Sequence, residues 1–256
     1  MGLAVEMKSK LSKIKAGLCA GFLSIGALLG GVDASTAQTD QKAFRVSIAG
    51  FPVGTASYAA ALNGKRYEVQ GFIGSTGFFG AFLASRYSGA VIGRASGDRL
   101  TPQIFRGRFE QGRKFAEVDI KYSRGRPTNV IRRPERAPQP YDIDFRQVRG
   151  ALDPISALYF LLRDVTVDKV CTQNFRVFEG SRTSRITMQR AQGDNGTVIC
   201  NGVYSRLAGF APEQMSERQN FPFQLVFHPT ETGLFEVREF RATTFWGVAK
   251  AVLKTR

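Results

Sequence analysis

A hairpin signal lies in residues 55–73, which read TASYAAALNGKRYEVQGFI. Apolar and polar residues tend to alternate on both sides of Asn63-Gly64. Asn-Gly is the dipeptide that two-residue hairpin turns favour, because both turn positions need positive φ. The stretch therefore predicts two antiparallel strands that meet at residues 63–64.

The same alternation continues outward along the chain in both directions. It marks further strands at residues 44–48, 117–122, 184–189, 223–227 and 235–238. Alternation with a period of two is typical of strands that bury one face. We find no internal repeat and no boundary that divides the chain into two β domains.

One segment has helical character instead. Asp153 is a favourable N-cap residue and Pro154 suits the first helical position. Apolar residues then recur at helical spacing up to Leu162. We therefore predict a mainly β fold, a curved antiparallel sheet or open half-barrel with one central α-helix at about residues 153–163. A second short helix at residues 78–83 is an alternative to a buried bend there.

Residues 1–37 have the three parts of a secretory signal peptide. Lysines precede an uncharged apolar run at residues 16–32, and Ser35-Thr36-Ala37 supplies small residues before a cleavage site. A membrane anchor is the alternative interpretation. We predict cleavage near Ala37, which leaves a single β-rich periplasmic domain at residues 38–256. Translation could start at Met1 or Met7.

Two cysteines, Cys171 and Cys200, remain after the predicted cleavage. Exported proteins meet an oxidising compartment, and the Cys-x-x-Cys spacing of a redox pair is absent, so we predict one structural disulfide. The chain has one histidine, His228, which leaves too few ligands for a zinc site. We expect no metal and no cofactor.

The chain is strongly basic, with 36 Lys and Arg against 21 Asp and Glu and a formal net charge of +15. Residues 124–140 are rich in arginine and proline and are predicted to form a loop or an extended irregular segment. The candidate polyanion contacts there are Arg124, Arg126, Arg132, Arg133 and Arg136. A solvated loop that binds nothing is the alternative. We expect an anionic membrane surface as the partner and no nucleic acid, because the protein is predicted to be exported.

Glycine and phenylalanine interleave in residues 71–80, which lack the pattern of a phosphate-binding loop. We predict a bent segment there, or else a mobile lip over an apolar pocket. The candidate ligand contacts are aromatic: Phe78, Phe79, Phe82 and Tyr159.

No catalytic constellation is complete in the sequence. His228 has no nucleophile elbow, and two nearby carboxylates, Asp142 and Asp144, act as an acid–base pair only if the fold separates them suitably. We predict a non-enzymatic envelope protein whose half-barrel binds a hydrophobic or amphipathic ligand, such as a lipid, or an envelope protein. The alternatives are a cell-wall or lipid-directed enzyme with unidentified acidic residues, and a basic structural adaptor on anionic envelope polymers.

Several short motifs are similar to those of an uncharacterised family of bacterial periplasmic proteins, catalogued as a domain of unknown function. They are Phe44-x-Val46, Gly50-x-x-Val53-Gly54, Leu100-x-Pro102, Asp153-Pro154-x-Ser156-Ala157-Leu158, Gly202-x-Tyr204-x-Arg206 and Thr244-x-x-Gly247. The Asp-Pro-x-Ser-Ala helix start is the most specific, and the last two resemble the alphaproteobacterial type. The resemblance covers roughly residues 43–253. It implies a β-rich, open-barrel-like fold, and it carries over no catalytic residues.

Overall fold

The computed structural model describes residues 38–76, 85–191, 193 and 196–255. Three predictions lie outside these residues. They are the signal peptide at residues 1–37, the short helix at residues 78–83, and the candidate ligand contacts Phe78, Phe79 and Phe82.

Fourteen strands form one sheet within the described part of the chain. They are β1 Gln38–Ile48, β2 Phe51–Asn63, β3 Arg66–Ser75, β4 Ser85–Ser96, β5 Arg99–Gln111, β6 Lys114–Ser123, β7 Arg126–Arg133, β8 Ala151–Leu152, β9 Asn174–Phe178, β10 Thr183–Arg190, β11 Val198–Ala208, β12 Asn220–Pro229, β13 Phe235–Thr244 and β14 Gly247–Leu253. The spatial order runs from β7 back to β1, and then from β14 back to β8. Each neighbouring pair is antiparallel apart from β8 and β9, which are parallel. The prediction of a mainly β fold is confirmed.

The sheet curls into a nearly closed barrel, because its two edges approach each other. The Gly150 amide, just before β8, donates a hydrogen bond to the Gly125 carbonyl in the β6–β7 turn at 2.9 Å. A Cβ built on Gly180, in the β9–β10 turn, would lie 2.5 Å from Val118 Cγ2 on β6. The barrel is therefore more closed than a half-barrel.

The β2–β3 hairpin is where the sequence predicted it, with its turn shifted by one residue. Asn63 pairs with Arg66 as the last residue of β2, so the turn consists of Gly64 and Lys65. Gly64 has a φ of +55°, the left-handed conformation that glycine adopts without a steric penalty.

The predicted helix is confirmed as α1, Pro154–Leu162. The Asp153 carboxylate caps its first turn and accepts hydrogen bonds from the amides of Ile155 at 3.0 Å and Ser156 at 2.9 Å. Ser156 also donates its hydroxyl to Asp153, and it contacts the Tyr67 hydroxyl at 2.7 Å. Asp153 is fully buried, and this burial raises its pKa to about 6.

A row of glycines lets α1 lie close to the inner face of the sheet. Gly71, Gly89 and Gly107 are cross-strand neighbours on β3, β4 and β5. A Cβ built on Gly71 would lie 2.6 Å from Ile155 Cδ1, and one on Gly89 would lie 2.7 Å from Ile155 Cγ1. Larger residues at Gly71 or Gly89 would displace the helix, since real Cβ atoms do not approach other atoms this closely, whereas a Cβ on Gly107 would meet Phe105 at 2.7 Å.

Polar side chains of β1 and β2 hold the carboxyl end of α1. The Lys42 ammonium, with a side chain only 6% exposed, donates a hydrogen bond to the Leu162 carbonyl at 3.2 Å and pairs with Asp164. A cation at this place satisfies the free carbonyl groups of a helix end. The Tyr58 hydroxyl donates a hydrogen bond to Asp40 at 2.8 Å on the same side.

The antiparallel strands give the barrel two distinct ends. We call one the rim end, which carries the turns between β1 and β2, β5 and β6, and β13 and β14. The far end carries the turns between β2 and β3, β4 and β5, and β6 and β7. Chain between β8 and β9 covers the far end, since Arg163 contacts Asp98 of the β4–β5 turn at 3.2 Å and Val165 bridges to Phe235.

Three further features complete the fold. A second helix, α2, which the sequence analysis missed, spans Pro212–Glu217 between β11 and β12. Short 3-10 helices lie at Phe145–Gln147 and Val167–Lys169. The predicted disulfide is confirmed, and it joins the buried residues Cys171 and Cys200 with a Cα–Cα distance of 5.3 Å.

Candidate functional site at the rim end of the barrel

An apolar row crosses the inner face of the sheet, on the rim side of α1. Gly71 faces the helix, and side chains alternate along a strand, so Ile73 faces the same interior. The pairing register extends this position across the sheet. The row consists of Ala56, Ile73, Tyr87, Phe109 and Ala116.

This row is inward-facing and yet open to solvent. Ile73 is 44% exposed and Phe109 is 40% exposed. Two inward-facing positions deeper along the same strands, Val69 is 1% exposed and Phe105 is fully buried. The interior is therefore filled at the far end by α1 and its surroundings, and accessible at the rim end.

Tyr87 adds a polar group to this apolar row. Its hydroxyl is buried and has no hydrogen-bond partner among the described residues. Burial raises the pKa of Tyr87, so the hydroxyl keeps its proton at physiological pH and can donate a hydrogen bond. A buried hydroxyl without a partner is uncommon in folded proteins and calls for an explanation.

A basic pocket of about 390 Å³ lies on the outer face of the sheet at the rim end, because its residues Arg86 and Glu110 alternate with the inward-facing Tyr87 and Phe109. It lies between the β3 and β4 ends and the β5–β6 turn, and its charged lining residues are Arg86, Arg108, Glu110, Arg113 and Lys114. Arg108 forms salt bridges with Glu110, at 2.7 Å, and with Glu117. Within the described chain, Arg86, Arg113 and Lys114 form no ion pair, so the pocket presents unpaired positive charge.

A larger depression, of about 1400 Å³, has a different character. It crosses the outward-facing side chains of β1–β6, with small or polar residues such as Ser57 and Ala90 on its floor. Its arginines are neutralised locally, for example Arg133 by Asp119 at 2.9 Å. This groove offers neither a large apolar surface nor an excess of one charge.

The five candidate polyanion arginines do not form one cluster. Residues 126–133 are the edge strand β7 and not a loop, which corrects that part of the sequence prediction. Arg124 and Arg126 lie at the far end and Arg133 near the rim end, roughly 25 Å away at the usual rise per residue. Arg133 and Arg136 pair with Asp119 and Asp142.

The other residues singled out in the sequence have local structural contacts. Tyr159 is 5% exposed and packs edge-on against Tyr58, with ring centroids 5.6 Å apart. Asp142 accepts a hydrogen bond from the Gln139 amide, and Asp144 caps the 3-10 helix through the Arg146 amide. His228 is exposed near the end of β12.

Two kinds of feature are absent from the described residues. They contain no group of three or more His, Cys, Asp or Glu side chains placed to hold a metal ion. They also contain no helix that is long and apolar enough to span a membrane.

Sequence reasoning missed Ile73 and Phe109. The signal for Ile73 was available, because counting in steps of two from the buried positions of β3 places it on the core face. The signal for Phe109 was weaker, since the bulge between Ile92 and Gly93 shifts the β4–β5 register. The exposure of both residues depends on where α1 lies inside the barrel. The strand pattern of the sequence does not specify that position.

Comparison with known proteins yields one match. A family model described as "Protein of unknown function (DUF3108)" matches residues 43–209, which confirms the predicted resemblance to a family of unknown function over that part of the chain. No curated protein and no solved structure matches the chain.

Proposed function

The chain belongs to this family of proteins of unknown function, and we propose that it binds an amphipathic molecule at the rim end of its barrel without catalysing a reaction. One observation carries the proposal. Ile73 and Phe109 face the interior of the barrel but remain 44% and 40% exposed. Burying such side chains against an apolar ligand is favourable, at about 25 cal/mol per Å² of apolar surface.

The polar groups around the row indicate an amphipathic ligand and not a plain hydrocarbon. An acyl chain would lie along Ile73 and Phe109, next to the ring of Tyr87. An anionic head group would reach the rim, where Arg113 and Lys114 are exposed. Apolar sites with a few placed polar groups are the usual form of small-molecule pockets.

We further propose that the protein works in the periplasm, after removal of residues 1–37. The Cys171–Cys200 disulfide supports this, because such bonds persist in oxidising compartments. Mass measurement of the protein recovered from the periplasm should give a chain that begins near Gln38. An intact Met1 or Met7 would contradict this location.

The ligand proposal is tested by titration with a fluorescent long-chain fatty-acid analogue. Ile73→Asp and Phe109→Asp should each weaken its binding at least tenfold, because they place a charge in the apolar row. Ile104→Asp is the matched control, since Ile104 is 43% exposed on the outer face of β5. It should leave the affinity within about twofold. Equal effects of all three variants, or none, would refute the proposal.

A further inference from the structure

Two neighbouring turns at the rim end carry, on or next to them, aromatic side chains that are largely exposed to solvent. The β13–β14 turn carries Phe245, which is 96% exposed, and Trp246, which is 69% exposed. Phe51, 58% exposed, follows the β1–β2 turn. The two turns are joined, because the Ala49 amide donates a hydrogen bond to the Val248 carbonyl at 3.0 Å.

The same rim carries the unpaired cations of the basic pocket. β1 to β6 are consecutive in the sheet, so the β5–β6 turn lies at the same end as the β1–β2 turn, four strands further around the barrel. Arg113 and Lys114 are exposed there, and Arg86 lies at the start of β4. The rim end thus combines protruding aromatic residues with an excess of positive charge.

We propose that the rim end docks on the surface of an anionic lipid bilayer. Phe51, Phe245 and Trp246 enter the interface between head groups and acyl chains, while Arg86, Arg113 and Lys114 contact lipid phosphates. Aromatic side chains favour that interface, and each Lys or Arg held near an anionic membrane adds binding energy.

The shape of the aromatic feature favours a lipid surface over a protein partner. A stable protein interface buries about 800 Å² on each partner in a well-packed patch. Here Phe245 and Trp246 project from one tight turn and Phe51 lies next to another, so a rigid partner would have to enclose each turn. Fluid lipid surrounds such projections without a complementary shape, and its negative charge matches the cations at the same end of the barrel.

This docking surface is separate from the ligand row of the proposed function. Phe245 and Trp246 lie on a turn beyond the strands, whereas Ile73 and Phe109 lie inside the barrel. Phe245→Ser should therefore weaken membrane binding and leave the affinity for the fatty-acid probe unchanged. Failure of one proposal can thus be told apart from failure of the other.

Trp246 is the only tryptophan of the chain, so its fluorescence reports directly on the turn. The protein, with its N-terminus checked by mass, is titrated with vesicles of phosphatidylcholine alone or with 30% phosphatidylglycerol. With the anionic vesicles at low salt, we expect a blue shift of Trp246 emission and quenching by lipids brominated on the acyl chain. We expect both effects to be much weaker at high salt or with neutral vesicles.

Variants distinguish binding through the rim end from binding through the overall positive charge of the protein. Arg113→Ser/Lys114→Ser should lower vesicle affinity at low salt by about fivefold for each charge removed. Phe245→Ser should lower it by about tenfold. Arg124→Asn/Arg126→Ser removes the same charge at the far end, and Val167→Ser removes an exposed apolar side chain there. Both should bind like the unmodified protein.

Three results would overturn the proposal. The first is Trp246 emission that no vesicle changes. The second is a far-end charge variant that loses as much affinity as the rim variant. The third is a blue shift without vesicles that grows with protein concentration, since the occupant would then be a second copy of the chain.

Discussion

Adding a methyl group to the sheet at Gly71 and removing one from α1 at Ile155 tests how closely the helix packs against the inner face of the barrel. A Cβ on Gly71 would lie 2.6 Å from Ile155 Cδ1, and its next neighbour, Leu158 Cδ2, would be 3.4 Å away. Ile155 is 1% exposed and cannot move aside freely. Gly71→Ala should therefore lower the free energy of unfolding by about 1–3 kcal/mol, as overpacking does in other cores.

Ile155→Val removes Cδ1 and leaves a small void at the same place. Alone it should cost about 0.5–1.5 kcal/mol. Combined with Gly71→Ala it should cost less than the sum of the two, since the new methyl occupies the space that Cδ1 vacates. Coupling of about 1–2 kcal/mol is in the range measured for contacting residues.

Gly89→Ala provides the matched control. Its Cβ would lie 2.7 Å from Ile155 Cγ1, which valine retains, and 3.1 Å from the Arg106 carbonyl oxygen. Ile155→Val should therefore not rescue Gly89→Ala. Urea unfolding of the six proteins that make up both cycles gives the coupling energies. Additive effects in the Gly71 cycle, or equal rescue in both cycles, would refute this packing of α1.

Two further predictions concern the disulfide and the buried carboxyl group. Replacing Cys171 and Cys200 together with serine should lower the free energy of unfolding by about 2–4 kcal/mol. Thiol counting on denatured, unreduced protein should find neither cysteine free, and an unchanged melting temperature in the double variant would contradict the prediction. Asp153 has a pKa near 6 in the folded protein against a usual value of 3.8, so the native state holds its proton more tightly than the unfolded state. The contribution of Asp153 to the free energy of unfolding should therefore fall by about 3 kcal/mol as pH rises from about 4 to 6. If the melting temperatures of Asp153→Asn and of the unmodified protein change in parallel over that range, the prediction is wrong.

Local elements could be predicted from the sequence because local chemistry specifies them. Asn63-Gly64 locates a hairpin to within one residue, and Asp153-Pro154 gives the start of α1. The alternation at residues 184–189 and 223–227 gives strands that the structure contains. The prediction for residues 126–133 was wrong. Their arginines and prolines suggested a loop, but charged residues and flanking prolines are also typical of an edge strand.

Closure of the barrel could not be predicted in the same way. It depends on contacts between residues far apart in sequence, such as Gly125 with Gly150 and Gly180 with Val118. The glycine row is another long-range feature, although its members at 71, 89 and 107 occupy matching places in successive strands. The exposure of the apolar row at the rim end depends on both features, because it is set by how the barrel closes and by where α1 lies inside it.

The central claim is that the inward-facing row at the rim end holds an amphipathic molecule. Native mass spectrometry of protein purified from its own periplasm tests this most directly. The account predicts a co-purified adduct with the mass of a lipid or lipid-like anion, retained by Ile104→Asp and lost from both Ile73→Asp and Phe109→Asp. An adduct that all three variants retain would contradict it, as would bare protein that also fails to take up an added lysophospholipid.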